Sequence, residues 1–176
     1  YRIAILLTIV LLSTSCADRK TPEPSDVDPY LEAPLHLSHD VTVRFYDSTF
    51  VRARLEAGVA YVYENRKETS MGGGVKVVFY DRKTGTPAAT LTSDSAIIDD
   101  RSKDMVAVGN VVVVSDSSRT TLETVQLIWD QKTEKIKTDE DVEITTPTEV
   151  IEGTGLVSDQ YLTDYRIFKV RGIHQP

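Results

Sequence analysis

Four copies of one short unit run through this chain, and that repetition limits the folds open to it. The segment "LTSDSAIIDDRSKDMVAVGNVVVV" (91–114) lies over "LETVQLIWDQKTEKIKTDEDVEIT" (122–145) without a gap. Leu91 then meets Leu122, Ala96 meets Leu127, Asp99 meets Asp130, Met105 meets Ile136 and Val111 meets Val142. A later copy, "IEGTGLVSDQYLTDYRIFKVRG" (151–172), puts Ile151, Leu156 and Asp159 at the same places. A degenerate earlier one, "LEAGVAYVYENRKETSMGGGVKVVF" (55–79), aligns Gly73 and Val75 with Gly109 and Val111.

Each copy reads as strand, Asp-rich turn, strand, Gly or Asp turn, strand. The segments 75–81, 105–115, 125–130, 135–145 and 165–172 are rich in Val, Ile, Thr and aromatics and are separated by turn residues. The one helix candidate, 50–68, contains Gly58 and an alternating "VAYVYE", which favours strand there too. No unit of this size buries its apolar face alone, so stacked units must share one core. Repeated antiparallel strands with alternating faces close as a roll or sandwich around an apolar interior. Positions apolar in copy after copy are expected to point inward: Leu91, Leu122 and Ile151; Ala96, Leu127 and Leu156; Val111 and Val142; Val113 and Ile144. Leu91 and Ala96 differ by an odd number, so a bulge or turn must lie between them if both face inward. Trp129 aligns with Ile98 and Val62, which predicts an inward position for all three.

Ahead of the repeats, "AILLTIVLLSTSC" ends on the only cysteine in the chain. The apolar run Ile3 to Leu12 is half the roughly 20 residues a spanning helix needs, and small residues follow it, as in an export signal. The stretch resembles a bacterial lipoprotein signal, which implies residues 1–15 as signal and Cys16 as the lipid-bearing first mature residue; Ser13 stands where that pattern usually has Leu. An uncleaved anchor helix is the other reading. With Cys16 so assigned no cysteine is left for a disulfide, and the fold must rest on its own core. Residues 16–34, rich in Pro, Asp and Glu, read as a flexible tether, and 35–176 as one domain. The net charge of −7 leaves no basic stripe for nucleic acid.

No catalytic constellation emerges, and no metal or cofactor is called for. His36 and His39 fall in a strand-poor lead-in without a third ligand, and His174 lies in the terminal tail. The carboxylates of 94–100 and 139–143 fall at repeat turns, where Asp satisfies the backbone. "MGGGV" (71–75) is followed by neither Lys-Ser/Thr nor a helix start, so it is not a phosphate loop.

The recurring "GNVVV" and "GGVKV", the L-x-T-x-x-L-x-W-D of 122–130, the K-I-x-T-D-x-x-V-x-I of 135–144 and the I-x-G-x-G-L-x-x-D of 151–159 resemble the lipopolysaccharide-export family of LptC and LptA type proteins. A membrane-attachment signal before a single domain resembles its LptC members, although the best-known of these keep a transmembrane helix there. The resemblance implies an all-β, twisted antiparallel β-jellyroll whose interior holds the acyl chains of lipopolysaccharide. It also implies a periplasmic protein on the inner membrane. Such a protein accepts lipid from an ATP-driven ABC transporter and passes it, edge strand to edge strand, to an LptA-like jellyroll. The lipid-lining residues it implies here are Val62, Leu91, Ile98, Val111, Val113, Leu122, Leu127, Trp129, Val142, Ile144 and Leu156. The end near Tyr165 to Val170 is expected to face the downstream partner. A β-sandwich lipoprotein with an adhesion or scaffold role would use the same strands as a sealed core.

Overall fold

The computed structural model describes residues 33–175. The signal, Cys16 and most of the tether lie outside them. Ten strands form a single antiparallel sheet: β1 (His36–Asp47), β2 (Phe50–Tyr63), β3 (Glu68–Tyr80), β4 (Pro87–Ser93), β5 (Ser95–Asp99), β6 (Met105–Ser115), β7 (Thr120–Asp130), β8 (Lys135–Thr145), β9 (Val150–Asp159) and β10 (Tyr165–His174). Each strand pairs with the next in sequence except β4 and β5, which do not pair with each other and share the place between β3 and β6. The sheet therefore begins on β1 and ends on β10, each with one edge unpaired among the described residues.

A line of irregularities crosses the sheet and creases it. Asp40 takes a left-handed φ of 51° opposite the Gly58 region. The β2–β3 register slips beyond Ala57, where Gly73 and Gly74 have positive φ. Gly109 and Asn110 bulge between Val108 and Val111, and the next ladders slip between Thr124 and Ile128 and between Thr138 and Asp141. Gly155 continues the line in β9 at φ 78°. The Gly and Asp turns anticipated inside the later copies are these bulges, because the strand bends there without reversing. Each repeat copy is thus a hairpin of two creased strands. In one copy the crease breaks a strand outright, at Asp94 between β4 and β5, and this is the parity change that Leu91 and Ala96 require. Asp94 fills the break: its N–H donates to the Gly109 carbonyl (2.9 Å) and its carboxylate accepts from Asn110 Nδ2 (2.8 Å).

Bending along this line lays one half of the sheet on the other, so the alternating apolar residues of both halves meet in one core. Trp129, from one half, meets Phe45 and Phe79 from the other at ring-centroid distances of 4.9 and 5.3 Å, edge to face. The Asp-rich turns are the repeat's reversal points. Asp81, Asp99, Asp130 and Asp159 each accept backbone N–H bonds from residues two to four further on. The segment with His36 and His39, read above as strand-poor, belongs to β1. An edge strand needs only one neighbour, and β2 supplies it from His36 opposite Val62 onward.

Candidate lipid-binding interior and its mouth

Ten of the eleven residues proposed to line the interior are buried in one cluster: Leu91, Ile98, Val111, Val113, Leu122, Leu127, Trp129, Val142, Ile144 and Leu156. Val62 is half-buried and stands outside the cluster, since it sits near the end of β2 between the polar partners His36 and Thr69. Ala96 joins the cluster as well. Side chains fill the space between the two halves, and these ten residues are at most 4% exposed.

Two features mark where the two halves meet the surface. Along the β1 edge, a cleft of about 300 Å³ is lined by core residues Phe45, Met71 and Ile98 and by half-buried Val43, with Lys103 and Gln131 at its rim. Ile98 is thus a core residue that reaches an opening. The second feature is the line opposite the crease, where the free ends of the two halves touch through polar contacts. Tyr161 donates its hydroxyl to the Tyr80 carbonyl (2.9 Å), and Ser118 bridges to the Tyr161 carbonyl. Arg52 pairs with Glu134, and Glu134 also lies 3.2 Å from Arg82, which in turn bonds Asp47 at 2.5 Å. Behind them the Trp129 indole donates to Gln160 Oε1 (3.0 Å), and both residues are buried.

Arg52 was not singled out by its sequence context, where alternation with Leu55 and Ala57 makes it an ordinary outward residue. The register explains its burial. Ala53 pairs with Phe45 and Val51 with Tyr46, so Arg52 is the extra residue of a bulge, without a β1 partner. Its side chain is re-aimed to Glu134 and only 7% of the residue stays exposed. Burial, then the nearby Arg82 charge, lowers the Arg52 pKa from its ordinary value, while Asp47 works in the opposite sense. Two such cations are held together at the mouth by the carboxylates between them.

The histidines take no part in this site, and among the described residues no group of three or more His, Cys, Asp or Glu is placed to hold a metal. No described helix is long and apolar enough to cross a membrane. A search of curated proteins finds no match. Among solved structures, the chain is similar to LptH from Pseudomonas aeruginosa, described as the LptA homologous periplasmic component of a lipopolysaccharide transport device. The identity is 14% and the TM-score 0.51, covering 66% of this chain and 82% of that one. That likeness establishes the β-jellyroll architecture. A family model described as lipopolysaccharide-assembly, LptC-related, matches residues 2–174, nearly the whole chain. The chain therefore belongs to the LptC-related family of lipopolysaccharide-assembly proteins.

Proposed function

We propose that this protein is a periplasmic, membrane-attached relay that takes lipopolysaccharide from an inner-membrane ABC transporter, shelters its acyl chains between the two halves of the sheet and hands it to an LptA-like jellyroll. The observation that supports this most is the single apolar interior, fed by every strand and reaching the surface at the β1 cleft through Ile98, Met71 and Phe45. Each methylene removed from water is worth about 0.8 kcal/mol, so a multiply acylated lipid needs such a shelter to cross an aqueous space. The hydrolysis of ATP belongs to the transporter, and the relay itself needs no chemistry.

The two free edges give the relay its direction. An unpaired strand docks a further strand by main-chain hydrogen bonding. β10 presents exposed Phe168, Val170 and Ile173 on such an edge, and we assign it to the downstream jellyroll. β1, beside the open cleft, is then the receiving edge. Cys16, as a lipidated residue, would hold the domain at the membrane through the tether.

The test is lipopolysaccharide binding by the full chain carrying Val43→Asp, a half-buried position that lines the cleft. A charge there raises the cost of apolar entry, and binding is expected to fall at least about tenfold, since 1.4 kcal/mol suffices for that factor. The circular dichroism spectrum should be unchanged. A folded variant that binds like the parent would remove the β1 cleft as the entry.

A further inference from the structure

A cleft of about 570 Å³ opens beside the Arg52–Glu134 contact, and its composition is unusual for a chain of net charge −7. Arg44, Arg52, Arg54 and Arg82 line it, against Asp47 and Asp81. Both aspartates are already engaged, Asp81 by the backbone N–H groups of Lys83 and Thr84 and Asp47 by Arg82. The arginines are engaged only in part: Arg82 bonds Asp47 and Glu134, and Arg52 bonds Glu134. Arg44 and Arg54 stand directly opposite each other across the β1–β2 ladder, an arrangement that like charges disfavour. Glu56 lies 3.2 Å from Arg54, whereas Arg44 has no ion-pair or hydrogen-bond partner among the described residues. Arg52 is more than nine-tenths buried, and its Nε has no acceptor. A buried charged donor without an acceptor costs free energy that a ligand oxygen would recover. Phe50, 65% exposed, and Tyr80 add an apolar wall to the same cleft.

These features ask for an anion with more than two acceptor oxygens and an apolar neighbour. A carboxylate matches one guanidinium fork, while the three terminal oxygens of a phosphate monoester match several. We infer that the cleft binds the phosphate group of a phosphorylated amphiphile, with the adjoining apolar part against Phe50 and Tyr80, and that Glu134 is the internal carboxylate this phosphate displaces. Glu134 belongs to the β7–β8 turn, whereas Arg52 and Arg82 belong to the facing half of the sheet. Displacing it breaks an ion pair across the mouth, so capture of the head group and parting of the halves become one event. The inference rests on the lipid-relay reading above, with the lipid cargo as the amphiphile.

The experiment measures binding of diphosphoryl lipid A and of its dephosphorylated form to the full chain, with and without millimolar inorganic phosphate. Trp129, the one tryptophan, reports through its fluorescence. The parent should prefer the phosphorylated lipid by about tenfold or more, the effect of one charge-assisted contact. Arg44→Gln, at an exposed position, should erase most of that preference with the circular dichroism spectrum unchanged, and should weaken binding of the dephosphorylated lipid far less. Glu134→Gln removes both the competing carboxylate and the ion pair across the mouth, so it should strengthen binding of the phosphorylated lipid at least as much as that of the dephosphorylated one. Competition by inorganic phosphate would support recognition of phosphate as such. Its failure to compete, with Arg44→Gln still effective, would support a site that takes only lipid-borne phosphate. Equal binding of both lipids by the parent, or weakening of both alike by Glu134→Gln, would overturn this inference alone. Binding of neither lipid would overturn the relay reading together with it.

Discussion

At Gly153 and Gly109 the fold leaves no room for a side chain. A Cβ on Gly153 would stand 2.4 Å from Ile167 Cγ2 and 2.8 Å from the Lys169 carbonyl oxygen, so β10 lies against β9 only because that position is glycine. A Cβ on Gly109 would meet the Asp94 carboxylate at 2.5 Å, and its φ of 80° adds a backbone cost. The left-handed conformation alone costs an L-residue roughly 1–2 kcal/mol. Gly109→Ala is therefore expected to lower the free energy of urea unfolding by about 2 kcal/mol or more, and Gly153→Ala to loosen β10 in hydrogen exchange. Unchanged unfolding of Gly109→Ala would show that the crease tolerates an ordinary residue. The buried core positions were legible at this scale because the repeat compares each position with itself several times over. Arg52 and Glu134 were not legible. Their pairing depends on a bulge in one strand and a turn more than eighty positions away, and neither leaves a periodic trace.

At the scale of the element, the strands with strong Val and Ile content, β6 and β8, could be delimited from the sequence residue by residue. β1 could not, because "HLSHDVTVRFYD" mixes polar residues into an edge strand whose only support is β2. The parity argument at Leu91 and Ala96 required a break, yet could not place it. The deciding contacts, Asp94 to Gly109 and Asn110, come from the neighbouring hairpin. The reversal turns carry a pH dependence. Asp81, Asp99 and Asp130 are held below their ordinary pKa by backbone N–H groups, chiefly those of Thr84, Ser102 and Thr133. Asp141 is lowered first by its hydrogen bond from Arg171 and then by Thr154, a contact that ties β10 back to the sheet. A carboxyl with a depressed folded pKa stabilises the fold above its unfolded value, near 4, and that contribution is lost as pH falls through the folded value. Urea midpoints should stay level from neutrality to about pH 5 and decline below about pH 4, and Asp99→Asn should flatten part of the decline. A midpoint indifferent to acid down to pH 2 would show that these turns do not draw on the ionised form.

At the scale of the whole sheet, a meander whose neighbours follow in sequence order leaves two free edges and one folded interior among the described residues. Sequence repetition made the sheet and its shared core readable. It carried no information on the mouth, since Arg52, Tyr80, Arg82 and Ser118, which help to close it, lie outside the repeat copies. The edges predict polarity of assembly: photoreactive residues at Phe168 or Val170 should crosslink to the downstream jellyroll, and residues at Leu37 on β1 should not. Crosslinks to that partner from Leu37 alone would reverse the assigned direction. The interior is the central claim, and photocrosslinking in cells tests it most directly, with a reactive residue at Leu127, Ile144 or Trp129 and at the exposed neighbour Glu143 as control. Lipopolysaccharide adducts at the three interior sites and none at Glu143 are the predicted result. Absence of adducts at all three in a folded, exported protein would contradict the account and leave the repeats as a sealed scaffold core.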